Sequence, residues 1–250
     1  MLQEVSRRAD VIDASPVKAP VDTLLFDFGG TLDANGIPWK ERFYALYRAE
    51  RLDMSAEAFQ SCFFAADDPL VGGLPSHTDL AGTVHALAAN LEMEIGRYGA
   101  SNADRGRRVA SCFLADTATA IERNRPVLEA LSERYRLGIV SNFYGNLDGV
   151  CRSIGLCSIF SVLVDSHCVG VEKPDPAIFR VALDALGATP QTTVFIGDSL
   201  RRDREGARRM GMRFVWLQPA NIGTADAQSP AAPPPEHSLT DLRHLMAVLA

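Results

Sequence analysis

Short apolar runs that alternate with helical stretches constrain this chain more than any other feature. Residues 24–26, 137–140, 159–164, 193–196 and 214–217 are each of strand length and built from Leu, Val, Ile and aromatic residues with few charges, the composition of strands buried on both faces. Between them the spacing turns helical. Pro126 opens one helix and residues 147–154 form another. Asp175 caps a third, with Pro176 at its first position and Gly187 at its end, and residues 204–210 stop at Gly211. Strand and helix in repetition imply an α/β fold, a doubly wound parallel sheet with helices on both faces.

One long segment breaks the alternation. From Asp33 to Ile121 no convincing strand appears; Pro38 begins a helix carrying Trp39, Phe43, Leu46 and Tyr47 on one face, and further helices are expected over 55–64, 78–93 and 102–121. The expected organisation is a loose segment over 1–20, an α/β core made of 21–33 and 122–250, and a helical cap, 34–121, inserted between them. Residues 220–235 are rich in Pro and Ala and read as a mobile loop. Leu242, Leu245, Met246 and Leu249 form an apolar stripe that closes the chain onto its core.

Charge narrows the partners. Lys and Arg number 25 against 31 Asp and Glu, giving a net charge of -6 and a pI near 5.4. That balance argues against non-specific binding to nucleic acid or an anionic membrane, so an anionic ligand needs a local site. The longest stretch without Asp, Glu, Lys or Arg, residues 185–197, has 13 residues, short of the roughly 18 a membrane helix requires. Glu4, Asp10 and Asp13 interrupt the place where a secretory signal would need an apolar run, and a cytoplasmic location is expected. Five cysteines with no C-x-x-C pair suggest neither a disulfide framework nor a zinc site.

Candidate chemistry lies at the strand ends. Asp27, Ser141 and Asp198 each stand just past an expected strand, and ligands of open α/β sheets bind at that carboxyl edge. Asp198 and Asp203 share one strand-to-helix turn and offer hard oxygen ligands suited to Mg²⁺. Lys173 precedes the helix start at Asp175-Pro176, where a lone ammonium suits phosphate.

Asp27-Phe28-Gly29-Gly30-Thr31-Leu32, Ser141-Asn142, Lys173-Pro174 and the turn from Gly197 to Asp203 resemble the four ordered motifs of the haloacid dehalogenase-like superfamily. The likeness runs from about residue 22 through nearly the whole chain, and the insert between the first two motifs resembles the helical-capped subfamily acting on small molecules. Lys173 follows Ser141 by only 32 positions, which leaves no room for a second cap. The resemblance implies that Asp27 is a nucleophile that accepts a phosphoryl group. It also implies that Asp27, the Gly29 carbonyl, Asp198 and Asp203 hold Mg²⁺, and that Ser141, Asn142 and Lys173 bind phosphate. A phosphate dianion approaches several carboxylates only when a divalent cation and an ammonium cancel the repulsion.

The pattern breaks at Gly29. The family's phosphatases usually carry an Asp there, two residues after the nucleophile, which protonates the leaving oxygen and then activates water. Acid–base catalysis of this kind is worth about 10²- to 10⁴-fold. Three readings follow: a Mg²⁺-dependent phosphatase of a small phosphorylated metabolite; dehalogenase- or phosphonatase-type hydrolysis on the same fold, the latter with Lys40 as sole candidate for a Schiff base; or a non-catalytic phosphate-binding or scaffold protein. The first is favoured by retention of Asp198, Asp203 and Lys173. His77 and Asp33 are the candidate surrogate acids, and Arg201, Arg202, Arg204, Arg208 and Arg209 read as a solvated helix face.

Overall fold

Thr23–Phe26 (β2) is the pivot of the sheet. Leu24 and Phe26 join one apolar cluster with Leu137, Ile139, Val194, Ile196 and Val215, while Leu25 joins a second cluster with Val140, Val164 and Phe195. Alternate side chains enter opposite clusters, so both faces of the strand are covered and the apolar run needs no polar interruption. The computed structural model describes residues 11–13, 20–219 and 237–249; the loop expected over 220–235 lies outside the described residues.

The other strands are Val11–Asp13 (β1), Arg136–Ser141 (β3), Val162–Asp165 (β4), Thr193–Gly197 (β5), Arg213–Leu217 (β6) and His237–Leu239 (β7). Their order is β1-β7-β6-β5-β2-β3-β4, with β7 to β4 parallel and β1 antiparallel at one edge. Phe26 is in register with Ile139 on one side and Ile196 on the other. Three adjacent strands therefore end level, and Asp27, Ser141 and Asp198 emerge from one edge.

Two edge strands depart from expectation. Residues 11–13 fall in the segment read as loose, yet they pair with β7, itself unforeseen because three residues are too few to show a period. β4 starts at Val162 rather than 159, leaving Ile159 and Phe160 as buried residues of the preceding turn.

The insert consists of Trp39–Ala49 (α1), Ala56–Asp67 (α2), Leu80–Gly96 (α3) and Ala103–Ser132 (α4). Ser55, Asp79 and Asn102 cap the last three, each side chain accepting a backbone N–H from the first turn. The cap boundary expected at 121 and the helix start expected at Pro126 both fall inside α4. Proline removes one hydrogen bond from a helix, but Ile121, Leu128 and Leu131 are buried along the same helix. The Asn124 amide also anchors it to the Leu32 carbonyl at 3.1 Å, and these contacts outweigh the break. Phe43 stacks on Phe113 at 4.5 Å, and the apolar core of the insert is continuous with one face of the sheet.

Leu147–Ser153 (α5), Ser166–Val169 (α6), Pro176–Leu186 (α7), Glu205–Met210 (α8) and Leu245–Leu249 (α9) are the other α-helices among the described residues. Ile178, Phe179 and Leu183 of α7 cover the face that includes Leu25 and Phe195, while Leu245 and Val248 of α9 cover the other. Helices on both faces make the sheet doubly wound. No helix among the described residues is long and apolar enough to cross a membrane.

Candidate active site

Asp27 leaves the sheet from a fixed backbone, because its N–H still bonds the Ile196 carbonyl at 2.9 Å. Its Oδ1 accepts from the Phe28 N–H at 2.7 Å and the Ser141 hydroxyl at 2.7 Å, and pairs with the Lys173 ammonium at 2.8 Å. Three donors on one oxygen leave Oδ2 uncommitted among the described residues. A carboxylate oriented through one oxygen and free at the other is arranged for nucleophilic attack.

Asp198 and Asp203 close the cluster. Oxygens of Asp27, Asp198 and Asp203 all lie within 4.8 Å of one another. Thr31 Oγ1 donates to Asp198 Oδ1 at 2.9 Å, and the Ser199 N–H donates to Asp203 Oδ2 at 3.0 Å. Gly30 is required here: at φ +87 it sits in the left-handed region, and a Cβ would stand 2.6 Å from Asp198 Oδ2. Burial and the charges of Asp27 and Asp203 push the Asp198 carboxyl well above the usual carboxylate range. Burial pushes Asp203 up to about 6, even though Lys173 pulls it down. A divalent cation would relieve the repulsion among these crowded carboxylates, and an all-oxygen set of this kind fits Mg²⁺.

Lys173 is buried and bridges Asp27 and Asp203, its Nζ 2.7 Å from Asp203 Oδ1. Burial alone would lower its pKa, but Asp203 and Asp27 outweigh it and hold the ammonium charged. The Asn142 side chain clamps the lysine backbone, accepting from the Lys173 N–H at 2.8 Å and donating to its carbonyl at 3.2 Å. Asn142 thus has a side-chain duty that the sequence pattern did not show. Asp165 and Ser166, also not foreseen, hold the loop after Ser141: Asp165 accepts from Gly145 and Leu147, and Ser166 Oγ accepts from the Phe143 N–H.

The two surrogate acids fare differently from expectation. Asp33 is fully buried and accepts from the Gly30 N–H at 2.7 Å, Trp39 Nε1 at 2.6 Å and Arg42 Nη1 at 2.7 Å. Burial pushes its pKa up against the pull of Arg42. With three donors in place it is an anchor of the Asp27–Asp33 loop, and its carboxyl has no free edge for proton transfer. His77 is exposed, in a loop whose backbone lies over Gly149, and makes no hydrogen bond or ion pair among the described residues. Lys40 is also out of place for a Schiff base, held on the insert surface by Gln60 at 2.6 Å and Glu41 at 3.0 Å.

Trp39 occupies the space beside Gly29. Gly29 has φ -72, so a side chain there carries no backbone strain, but its Cβ would lie 3.3 Å from Trp39 Nε1. An Asp at this position therefore meets the indole that Asp33 holds. We expect Gly29→Asp to destabilise by about 1–3 kcal/mol and to give no gain in turnover. Thermal melts and rate assays check both, and a faster enzyme with an unshifted melt would contradict the crowding.

The family model described as haloacid dehalogenase-like hydrolase matches residues 21–211. The chain belongs to this family. It is 37% identical over 115 residues to haloacid dehalogenase-like hydrolase domain-containing protein 3 of Bos taurus, covering 46% of this chain and 45% of that protein. It is 44% identical over 63 residues to phosphoserine phosphatase of Thermus thermophilus, 25% of each. The chain thus spans about half the length, or less, of these curated relatives. The crystal structure of a dehalogenase with an intermediate complex matches with a TM-score of 0.61 and 18% identity, covering 96% of this chain and 99% of that one; at that identity the likeness shows the shared fold.

Proposed function

We propose that this hydrolase is a Mg²⁺-dependent phosphatase acting through Asp27 on a small phosphorylated metabolite in the cytoplasm, with no nucleic-acid or membrane partner. The observation that carries the reading is the buried Lys173 bridging Asp27 and Asp203 beside Asp198, with Asp27 Oδ2 left free. Asp27, Asp198, Asp203 and the Gly29 carbonyl would hold the cation, which when bound supplies positive charge to the transferring phosphoryl group. Asp27 Oδ2 attacks phosphorus, the bond to the leaving oxygen breaks, and an aspartyl phosphate forms. Lys173, the Ser141 hydroxyl and the Asn142 backbone stabilise the phosphoryl oxygens. Water then cleaves the aspartyl phosphate. The phosphoserine phosphatase likeness supports the reaction class.

Dehalogenase-type hydrolysis draws on Gly29 alone and leaves the Asp198–Asp203 pair without a purpose. A panel of phosphorylated metabolites and 2-haloacids, assayed for phosphate and halide with Mg²⁺ or with EDTA, separates the readings. We expect phosphate release that requires Mg²⁺. Asp198→Asn should slow it by more than about 10²-fold, exceeding the usual effect of losing a group behind a metal ligand, and should raise the Mg²⁺ needed for half-maximal rate. Halide release in EDTA selects the dehalogenase reading, and silence across the panel selects a binding protein.

A further inference from the structure

Asp67 is the last residue of α2, and its Oδ1 accepts the Tyr144 hydroxyl at 2.5 Å. Tyr144 lies three residues beyond Ser141, whose hydroxyl is on Asp27. The Tyr144 carbonyl accepts the Gly72 N–H at 2.9 Å, so the segment of the insert just after Asp67 is docked on the loop that leaves β3. The Tyr144 ring is 6.4 Å from the Trp39 ring, and that indole stands where a side chain on Gly29 would have pointed. Arg202, on the turn that carries Asp198 and Asp203, is close enough for its charge to act on the Asp67 carboxyl. Tyr144 thus ties the Asp67 carboxyl to the loop that follows Ser141 and to the indole beside Gly29, and the charge of Arg202 acts on it from the metal-ligand turn.

We infer that Asp67, held by Tyr144, protonates the leaving oxygen and afterwards takes a proton from the attacking water. The inference rests on the phosphatase reading. In the first step Asp27 Oδ2 bonds to phosphorus, the phosphorus–oxygen bond to the leaving group breaks, and its electron pair takes the Asp67 proton. In the second, water oxygen bonds to phosphorus as its proton moves to Asp67. The bond to Asp27 then breaks, restoring both carboxyls and releasing phosphate. The surroundings suit an acid. Burial pushes the Asp67 carboxyl up from its ordinary value; the Tyr144 hydroxyl opposes this, neighbouring Asp68 adds to it and Arg202 pulls it down.

The test uses 4-nitrophenyl, phenyl and 4-methoxyphenyl phosphates, whose leaving groups differ in their need for a proton, with wild type, Asp67→Asn and Tyr144→Phe. For wild type a shallow dependence of kcat/KM on leaving-group basicity is expected, with a fall in rate as pH rises through the ionisation of Asp67. Asp67→Asn should steepen that dependence, slow phenyl phosphate by about 10²-fold, remove that high-pH fall and accumulate phosphorylated Asp27. Tyr144→Phe should move the fall to higher pH, since the hydroxyl that favours the carboxylate is gone; a merely structural role would not move it. Unchanged leaving-group dependence in Asp67→Asn, or an unmoved high-pH limb in a folded Tyr144→Phe, overturns the inference while leaving the phosphatase reading intact. Absence of phosphate release and of phosphorylated Asp27 in wild type removes both.

Discussion

Asp27→Asn abolishes phosphate release, by roughly 10⁴-fold or more as in other losses of a covalent nucleophile, while the protein melts at or above the wild-type temperature. The two halves of this expectation have separate causes. An amide cannot present the anionic Oδ2 that attacks phosphorus, whereas its carbonyl oxygen can still accept from the Phe28 N–H, Ser141 and Lys173 that now converge on Oδ1. Removing one of three carboxylates within 4.8 Å also relieves repulsion that burial intensifies. Steady-state assay, phosphate-burst measurement and a thermal melt check it together. Retention of most activity would remove Asp27 as the nucleophile, and a lower melting temperature would show that its charge balances Lys173 more than it opposes Asp198.

The parts of this molecule that sequence makes legible are those with a strong local cause. β2, β3 and β5 are apolar runs covered on both faces, and their shared register delivers Asp27, Ser141 and Asp198 to one edge, as the alternating pattern implies. Lys173 needs only its place before α7 to reach that edge. What escapes the sequence depends on distant partners. β7 exists because β6 and β1 flank it, and nothing in His237-Ser238-Leu239 announces a strand. α4 runs through Pro126 because tertiary packing overrides a local break. Asp33 reads as a candidate acid because it is near Asp27 in sequence, yet its three donors include an arginine nine residues away and a tryptophan six residues away. Asp67 gives no signal along the chain because its partner Tyr144 is 77 residues distant. A carboxylate's role depends on which donors the fold brings to it, and spacing along the chain gives little hint of them.

Arg42→Ala is the substitution expected to cost the most stability. The guanidinium is 9% exposed and its partner Asp33 is 0% exposed, with 2.7 Å between them, so little water screens the pair. Arg42 also bonds Thr117 Oγ1 at 2.7 Å and the Phe113 carbonyl at 3.3 Å, and its guanidinium carbon lies 3.8 Å over the Phe113 ring. It therefore ties the loop that begins at Asp27 to α4 of the insert. Truncation leaves Asp33 as a buried carboxylate with only the Gly30 and Trp39 N–H groups, a loss of about 3–5 kcal/mol. That corresponds to a melting shift of roughly 10 °C for a chain of this size. Asp33→Asn combined with Arg42→Met removes the stranded charge and keeps the apolar cover of Phe113, so the double variant should be more stable than Arg42→Ala. It should still be slower than wild type, because a neutral amide holds the Gly30 N–H less firmly than the Asp33 carboxylate does, and Gly30 abuts Asp198. Denaturant unfolding of both variants, with rates measured at saturating Mg²⁺, decides it. Equal stability of the two would mean that neither the buried charge nor the packing on Phe113 sets the cost, which would then lie in the bonds to Thr117 and the Phe113 carbonyl that both variants lose.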